Sequence, residues 1–196
     1  MYNALNSIAI LCMNEPEKAE HLTLQLAQYM RSSFDYKQLD AMTTLGGEME
    51  LVEAYVHVEK ARFGTRLHVV YELDADRKIR IPPLILQPLV ENAIRHGLMS
   101  NWRGGTVRIS VTPGADGRVS FVIEDDGCGM SPQKREDVLN PDVEKKGVGL
   151  WNISQRLKAL YGSDIQIESE EGKGTRFAFT IPARAQAEHV DLPDRE

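Results

Sequence analysis

The sequence predicts an α+β fold, in which a helical segment precedes a two-layer sandwich of a mostly antiparallel sheet with helices on one face. Apolar residues repeat at helical spacing up to about residue 65, whereas from Leu67 onward they alternate with a period of two. Two pairs of alternating runs are each separated by a glycine-containing turn, at 113–117 and 170–174, which is typical of β-hairpins. These observations divide the chain into a helical part, 1–65, a sandwich, 66–182, and a flexible polar tail, 183–196.

Two helices are predicted in the helical part. The first follows Asn14, an N-cap residue type, with Pro16 in the first turn. The segment 43–47 contains two glycines and is predicted to interrupt the helical pattern, after which a second helix runs over 48–63. The first helix carries an apolar stripe of Leu22, Leu24, Leu26, Ala27, Met30 and Phe34.

The remaining elements are predicted from alternation, turn residues and helix stops. Two prolines at 82–83 suit the start of a helix, and Gly97 suits its end. Between 126 and 146 the sequence is polar and lacks a continuous apolar stripe, which predicts a long irregular loop that is functional or mobile. In order, the predicted elements are a strand at 68–73, a turn at 74–77, a helix at 84–96, a hairpin at 107–124, the loop, a helix at 149–161 and a hairpin at 165–181.

Composition and charge argue against several classes of protein. The 196 residues carry a net charge of −6 and a pI near 5.5, which argues against a basic nucleic-acid-binding face. The longest apolar run, 8–13, is far too short to span a membrane. Cys12 and Cys128 stand in unrelated contexts, as in proteins of a reducing compartment. We therefore expect a cytoplasmic chain that itself contacts neither nucleic acid nor membrane.

The predicted helix at 84–96 carries the first candidate site. Asn92, Arg95 and His96 fall on or near its polar side. The side-chain oxygen of Asn92 can complete a Mg²⁺ octahedron of water and nucleotide phosphate, because Mg²⁺ takes few protein ligands. Arg95 and His96 can donate hydrogen bonds to phosphate oxygens. The same pattern is also compatible with an amphipathic helix whose polar face is only solvated.

Asp125, at the end of a predicted strand, is the second candidate. Its carboxylate can accept a hydrogen bond from an exocyclic amine such as that of adenine. Gly127 and Gly129 allow a ligand to approach the backbone closely, although Asp-Gly is also a common turn dipeptide.

Two further glycine-containing segments follow. The segment 145–150 opens a helix, where the free N–H groups of the first turn and the adjacent lysines suit phosphate oxygens. Its residues match neither a P-loop nor a Rossmann fingerprint. The segment 172–175 is a hairpin turn that ends at Thr175 and is compatible with a turn alone.

The order of these four segments resembles a known fold. Asn92 precedes Asp125 by 33 residues, and Asp125 precedes Gly147 by 22. The series is similar to the N, G1, G2 and G3 boxes of the GHKL, or Bergerat, ATP-binding fold of gyrase, Hsp90, sensor histidine kinases and MutL. The resemblance implies that ATP and Mg²⁺ are the cofactors, that Asn92 is the metal ligand and that Asp125 reads adenine. The ATP-binding residues that it implies are Asn92, Arg95, His96, Asp125, Gly127, Gly129, Lys146, Gly147, Gly149, Leu150 and Thr175.

Within that superfamily the chain resembles the LytS/YehU type of sensor histidine kinase. The segments LQPLVENA at 86–93 and GLWNI at 149–153 carry this likeness, which extends over nearly the whole chain. In such kinases the acceptor histidine lies in a run ending His-Phe-Leu-Tyr-Asn-Ala-Leu-Asn, whereas this sequence starts at Met1-Tyr2-Asn3. We therefore expect the acceptor histidine to be absent from these 196 residues, which alone would not autophosphorylate. Such kinases usually carry membrane-spanning sensor segments upstream.

The resemblance also bears on the chemistry of the nucleotide. Gyrase- and Hsp90-type ATPases place a water-activating glutamate one helical turn before the asparagine, where this chain has Pro88. Glu91 points about 100° away from Asn92 around a helix, so it is at most a candidate for assisting histidine phosphorylation. The stretch 131–146 is expected to act as a lid that becomes ordered on nucleotide, with Gly147 and Gly149 bending it over the phosphates.

The function predicted in this way is protein-histidine kinase activity. The chain would supply the ATP-binding catalytic domain that transfers the γ-phosphoryl group of ATP to a histidine, for relay to a response regulator. The full-length kinase is expected to be a homodimer. Two alternatives stay open at this point: a nucleotide-regulated interaction module without turnover, and an anti-sigma-type serine kinase, which shares the four boxes.

Overall fold

The computed structural model of the protein describes residues 42–98, 104–138 and 148–183, together with isolated positions between 12 and 27. Most of the first predicted helix and nearly all of the predicted tail therefore lie outside the described residues. The positions described between 12 and 27 have helical backbone, but Leu24, a member of the predicted apolar stripe, is 62% exposed. No helix among the described residues is long and apolar enough to cross a membrane.

The described elements are seven strands and four α-helices. A 3-10 turn at Gly64–Arg66 and a π-helical segment at Ala93–Leu98 join some of them. In chain order they are β1 (Thr43–Thr44), α1 (Leu45–Phe63), β2 (Leu67–Leu73), β3 (Arg80–Ile81), α2 (Leu86–Asn92), β4 (Gly105–Pro113), β5 (Arg118–Asp125), α3 (Pro132–Asp137), α4 (Val148–Tyr161), β6 (Gln166–Glu170) and β7 (Gly174–Pro182).

Five strands form one sheet in the order β2-β4-β5-β7-β6. β2 pairs with β4 in parallel, and the other neighbours are antiparallel. Along β5, every second residue is buried, from Val119 to Asp125, because alternate side chains point to the helix-covered face. At the centre of that face the rings of Phe121 and Phe179 stack with centroids 4.8 Å apart. The predicted α+β sandwich with a mostly antiparallel sheet is confirmed.

α1, α2 and α4 supply the helical layer. Their apolar side chains belong to the same buried cluster as the inward-facing residues of the sheet. In and just after α2 the buried side is formed by Leu89, Val90, Ala93 and Ile94, none more than 1% exposed. This burial agrees with the amphipathic pattern of the helix that carries Asn92.

The start of α1 differs from the prediction. The helix begins at Leu45 and runs through Gly46 and Gly47, which the sequence pattern had assigned to a break. Thr44 caps the helix, because its hydroxyl oxygen accepts a hydrogen bond from the Gly47 N–H at 3.1 Å. Leu45 and Met49 are fully buried, so tertiary packing also favours a helix that includes the two glycines.

Two further elements differ from the prediction. α2 begins at Leu86 instead of residue 84, because Leu84 has a φ of +57°, which a right-handed helix does not accept. The predicted irregular loop contains α3, whose first turn is capped by the Ser131 hydroxyl and holds Pro132. Residues 139–146 of that loop lie outside the described residues, and they make up half of the expected lid, 131–146.

Candidate functional site

Asn92 is the last residue of α2, and its side chain is half-buried. The neighbouring Glu91 forms an ion pair with Arg95 over 3.0 Å, between Oε1 and a guanidinium nitrogen. Both side chains of that pair are partly exposed, so it adds little stability. It does mean that the carboxylate of Glu91 is already engaged.

Asp125 ends β5 and lies directly across the sheet from Thr175 on β7. It faces the helical layer and is only 7% exposed. One carboxylate oxygen accepts a hydrogen bond from the Gly127 N–H at 3.0 Å. The sheet register therefore brings together two of the predicted site residues, Asp125 and Thr175, which are 50 positions apart in the sequence.

Burial raises the pKa of Asp125 to about 6, and the negative charge of Asp126 adds to this effect. Hydrogen bonds from the backbone of Gly127 and Thr175 act in the opposite direction, because they stabilise the carboxylate. A carboxyl group that is costly to ionise and yet turned into the protein is a common feature of ligand sites. At neutral pH it presents a desolvated acceptor.

Close backbone packing surrounds this carboxyl group. A Cβ atom added to Gly97 would lie 2.3 Å from Oδ1 of Asp125. A Cβ added to Gly127 would lie 2.1 Å from the carbonyl oxygen of Gly97, which accepts a hydrogen bond from the Cys128 N–H at 2.9 Å. Gly97 and Gly127 are therefore required for the contact between the end of the π-helical segment and the turn after β5. The sequence had suggested ligand approach as the reason for Gly127.

Gly129 completes the turn after β5 and connects it to the hairpin of β6 and β7. It has a φ of +64°, and an added Cβ would lie 1.9 Å from the carbonyl oxygen of Glu170. The hydroxyl of Ser169 accepts a hydrogen bond from the Met130 N–H at 2.8 Å and lies 3.0 Å from the Thr175 hydroxyl. Ser169 thus fixes both Thr175 and the turn, although no sequence motif singled it out.

The structure leaves part of the predicted site undescribed. Lys146 and Gly147 lie outside the described residues, and so does the side chain of His96. Gly149 lies in the first turn of α4, and Leu150 is buried in the core with 7% exposure. The described residues bring Asp125, Thr175 and the two turn glycines together.

A cavity of about 420 Å³ opens beside Asp125. Its lining includes Thr175, Glu124, Glu168 and Arg176. Arg176 forms ion pairs of 3.2 Å with both glutamates, so its single positive charge compensates part of their negative charge. Asn92 and Gly127 do not line this cavity, which therefore coincides with the predicted site only in part.

The donor set is compatible with Mg²⁺ bound mainly by water and phosphate. Among residues 42–98, 104–138 and 148–183, no group of three or more histidine, cysteine, aspartate or glutamate side chains could hold a metal ion. Mg²⁺ in nucleotide sites is commonly held by one or two protein oxygens plus phosphates. The half-buried amide of Asn92 fits such a role.

Comparisons with known proteins identify the family. Residues 79–185 match the family described as histidine kinase-, DNA gyrase B-, and HSP90-like ATPase, and residues 1–67 match the family described as histidine kinase. The YwpD protein of Bacillus subtilis (strain 168) is 36% identical over 197 residues, which cover all of this chain and 70% of that protein. The sensor protein LytS of Bacillus anthracis is 36% identical over 195 residues, which cover 96% of this chain. The sensor histidine kinase YpdA of Escherichia coli (strain K12) is 36% identical over 182 residues, which cover 93% of this chain.

The chain spans about a third of the length of these two sensor proteins, 33% of LytS and 32% of YpdA. Solved structures share its fold. The catalytic domain of histidine kinase ThkA superposes with a TM-score of 0.57 at 16% identity, over 74% of this chain and 96% of that one. The histidine kinase domain of Erythrobacter litoralis EL346 gives a TM-score of 0.57 at 17% identity, over 89% and 86%. This chain belongs to the histidine kinase-, DNA gyrase B-, and HSP90-like ATPase family, and over most of its length it is similar to the sensor protein LytS and the sensor histidine kinase YpdA.

Proposed function

We propose that this chain binds Mg·ATP and supplies the catalytic domain that transfers the γ-phosphoryl group to a histidine, for relay to a response regulator. The observation that carries the proposal is the desolvated carboxyl group of Asp125, held against Thr175 and the Gly97–Gly127 contact in a domain of this ATPase family. The whole protein, on this proposal, is a homodimeric membrane sensor kinase whose catalytic part lies in the cytoplasm. The LytS and YpdA relatives, which are sensor proteins, support that wider statement.

Each part of the nucleotide has a candidate partner. Asp125 accepts a hydrogen bond from the adenine amine, and Thr175 lies beside it. The turn of Gly127 and Gly129 borders the base. The phosphates are bound by the start of α4 with Gly149 and Leu150, and by Lys146 and Gly147 directly before it. Charged donors for the phosphates are Lys146, Arg95 and His96.

Asn92 is the proposed Mg²⁺ ligand. Bound Mg²⁺ would neutralise phosphate charge during transfer. The chain itself contributes position, because phosphoryl transfer depends on holding the acceptor in line with the γ-phosphorus. Pro88 stands one turn before Asn92, where a water-activating carboxylate would have to lie, and Glu91 points about 100° away from Asn92 around the helix. This favours transfer to a protein acceptor over ATP hydrolysis, with at most an assisting role for Glu91.

Labelling with γ-³²P-ATP tests the proposal. The chain is compared with a version that carries His-Phe-Leu directly before Tyr2, so that the acceptor run of the family is complete. A matched control carries Gln-Phe-Leu at the same place. Acid-labile, alkali-stable label on the histidine version alone is the expected result. Titration calorimetry with a non-hydrolysable ATP analogue is run in parallel. If the analogue binds but ATP labels neither version, the proposed kinase activity is refuted while nucleotide binding stands.

A further inference from the structure

Glu48, in the first turn of α1, is completely buried and contacts a different helix. Its Oε1 accepts a hydrogen bond from the Leu84 N–H at 2.7 Å. Its Oε2 accepts from the N–H groups of Ile85 and Leu86, at 3.1 and 3.0 Å. These N–H groups lie at the start of α2, where Ile85 provides no side-chain cap of its own. The carboxylate therefore satisfies donors that a helix start leaves unpaired.

The segment before α2 has an unfavourable backbone conformation. Leu84 has a φ of +57°, which residues with a Cβ atom rarely adopt. Such a conformation persists only where the surroundings over-determine it. Here the Leu84 N–H is held by Glu48, and the preceding carbonyl oxygen, that of Pro83, accepts a hydrogen bond from the Arg156 guanidinium at 2.6 Å.

Arg156 belongs to α4, the helix that has Gly149 in its first turn. The segment 83–86 is thus held by hydrogen bonds from two sides, to a carboxylate on α1 and from a guanidinium on α4. The two groups also attract each other electrostatically. Burial raises the pKa of Glu48, whereas the backbone hydrogen bonds to its carboxylate lower it, so these bonds compensate part of the cost of burying the charge.

α2 is short and ends on a proposed ligand. It contains seven residues, Leu86–Asn92, which is about two turns, so any shift of its N-terminal end also moves Asn92. We propose that Glu48 and Arg156 are positioning residues that together set the place of Asn92 in the nucleotide site. By the same contacts they connect α1, which lies within the region 1–67 that matches the histidine kinase family, to the proposed metal-binding end of α2. This inference rests on the proposed role of Asn92 toward Mg²⁺.

A double-mutant cycle tests the positioning role. Glu48→Gln keeps the size of the side chain but replaces one accepting oxygen with a donor that faces N–H groups. Titration calorimetry measures the affinity of a non-hydrolysable ATP analogue with Mg²⁺ and with EDTA for the wild type, Glu48→Gln, Asn92→Ala and the double variant. Glu50→Gln, exposed on the same helix, is the matched control, and thermal unfolding is recorded for every variant.

Glu48→Gln is expected to weaken binding on the order of tenfold in Mg²⁺ and much less in EDTA. In the Asn92→Ala background it should cause no further loss, because its effect passes through Asn92. Equal losses with and without Mg²⁺, or losses that add to those of Asn92→Ala, would overturn the positioning role alone. If Asn92→Ala itself leaves the Mg²⁺ dependence unchanged, the metal assignment fails and takes this inference with it.

Arg156→Lys provides a second variant for the case that Glu48→Gln does not fold. It keeps the positive charge near Glu48 but shortens the reach to the Pro83 carbonyl. The same selective loss of Mg²⁺-dependent affinity is expected. If a folded Arg156→Lys protein shows the wild-type Mg²⁺ dependence of ATP-analogue affinity, the positioning role of Arg156 is refuted.

Discussion

Replacing Asp125 with asparagine should stabilise the nucleotide-free protein and weaken nucleotide binding. Asparagine has nearly the same shape, and its side-chain oxygen can keep the hydrogen bond from the Gly127 N–H, now 3.0 Å long. What changes is the charge and the second oxygen, which becomes a donor. If the carboxylate had only a structural role, the substitution would lower the stability of the protein. A gain in stability together with weaker nucleotide binding therefore distinguishes a ligand-binding carboxylate from a structural one.

The stability effect follows from the raised pKa of Asp125, which is about 6 in the fold and 3.8 in a model compound. The folded state binds the proton more tightly than the unfolded state, so the stabilising contribution is complete below about pH 4 and is lost as the pH rises through about 6. A shift of about two units sets an upper limit of about 3 kcal/mol on this loss. Because asparagine also loses hydration on burial, we expect a net gain of about 1–2 kcal/mol at pH 7.5 and no gain at pH 4.

The binding effect has the opposite sign. An amide donor that faces the adenine amine leaves two donors unpaired, at a cost of about 1–3 kcal/mol, or about fivefold to 150-fold in Kd. Wild-type affinity should also fall as the pH is lowered through about 6, because the acceptor becomes protonated. The phosphates titrate identically in both proteins, so the variant should lack only the part of the pH dependence that Asp125 causes.

Calorimetry supplies both measurements: thermal unfolding at pH 4 and 7.5, and ATP-analogue titration between pH 5.5 and 8. Glu124→Gln is the control, because it neutralises a carboxylate on the same strand but the opposite face of the sheet. An Asp125→Asn protein that binds with unchanged Kd would refute the adenine contact. A variant that is destabilised at pH 7.5 would refute the argument from desolvation.

Three other substitutions test the packing around the site and in the core. Gly97→Ala should lower nucleotide affinity about tenfold in titration calorimetry, because its Cβ would lie 2.3 Å from Asp125 Oδ1, whereas Gly46→Ala, with no contact under 3.4 Å, should leave Kd unchanged. Gly174→Ala should lower the free energy of unfolding, measured with a denaturant, by about 2–4 kcal/mol, because it combines a φ of +94° with a Cβ 1.9 Å from the Asp125 carbonyl oxygen. Gly172→Ala, at a φ of +78° in open space, should lower it by only about 1 kcal/mol. Equal losses would contradict the steric clash at Gly174. Phe121→Ala should cost about 3–5 kcal/mol by the same measurement, since the ring is fully buried against Phe179, and a loss under 1 kcal/mol would show that this face is not the core.

The two hairpins of the sheet were predictable because each is specified by residues that are close together in the sequence. Alternation along 119–124 and the glycine turns of both hairpins specify antiparallel strands without any knowledge of the rest of the chain. The register that puts Asp125 opposite Thr175 was not predictable from this alternation alone. It was the resemblance to the GHKL fold that implied a common nucleotide site for these two residues.

The helix starts were harder, because side chains can override local propensity. Two adjacent glycines favour a break at 46–47, yet the Thr44 cap and the burial of Leu45 favour a helix and prevail. For Gly127, one of the predicted site glycines, the structure shows a packing role that the sequence did not predict. Gly127 faces the carbonyl of Gly97, a residue 30 positions earlier that the sequence indicated only as a helix stop.

Glu48 shows why the supporting contacts of a site are less accessible to sequence reasoning than its ligands. As an acid in the first turn of α1, it looks like a residue that favours its own helix dipole. Its carboxylate instead accepts hydrogen bonds from residues 36–38 positions later, and this is possible only because Met49 and its neighbours pack α1 against α2. An apolar residue of similar size would fill the space but leave buried N–H groups unpaired, which costs more than a hydrogen bond contributes. The position therefore demands an acceptor for a reason that appears only after the helices have packed.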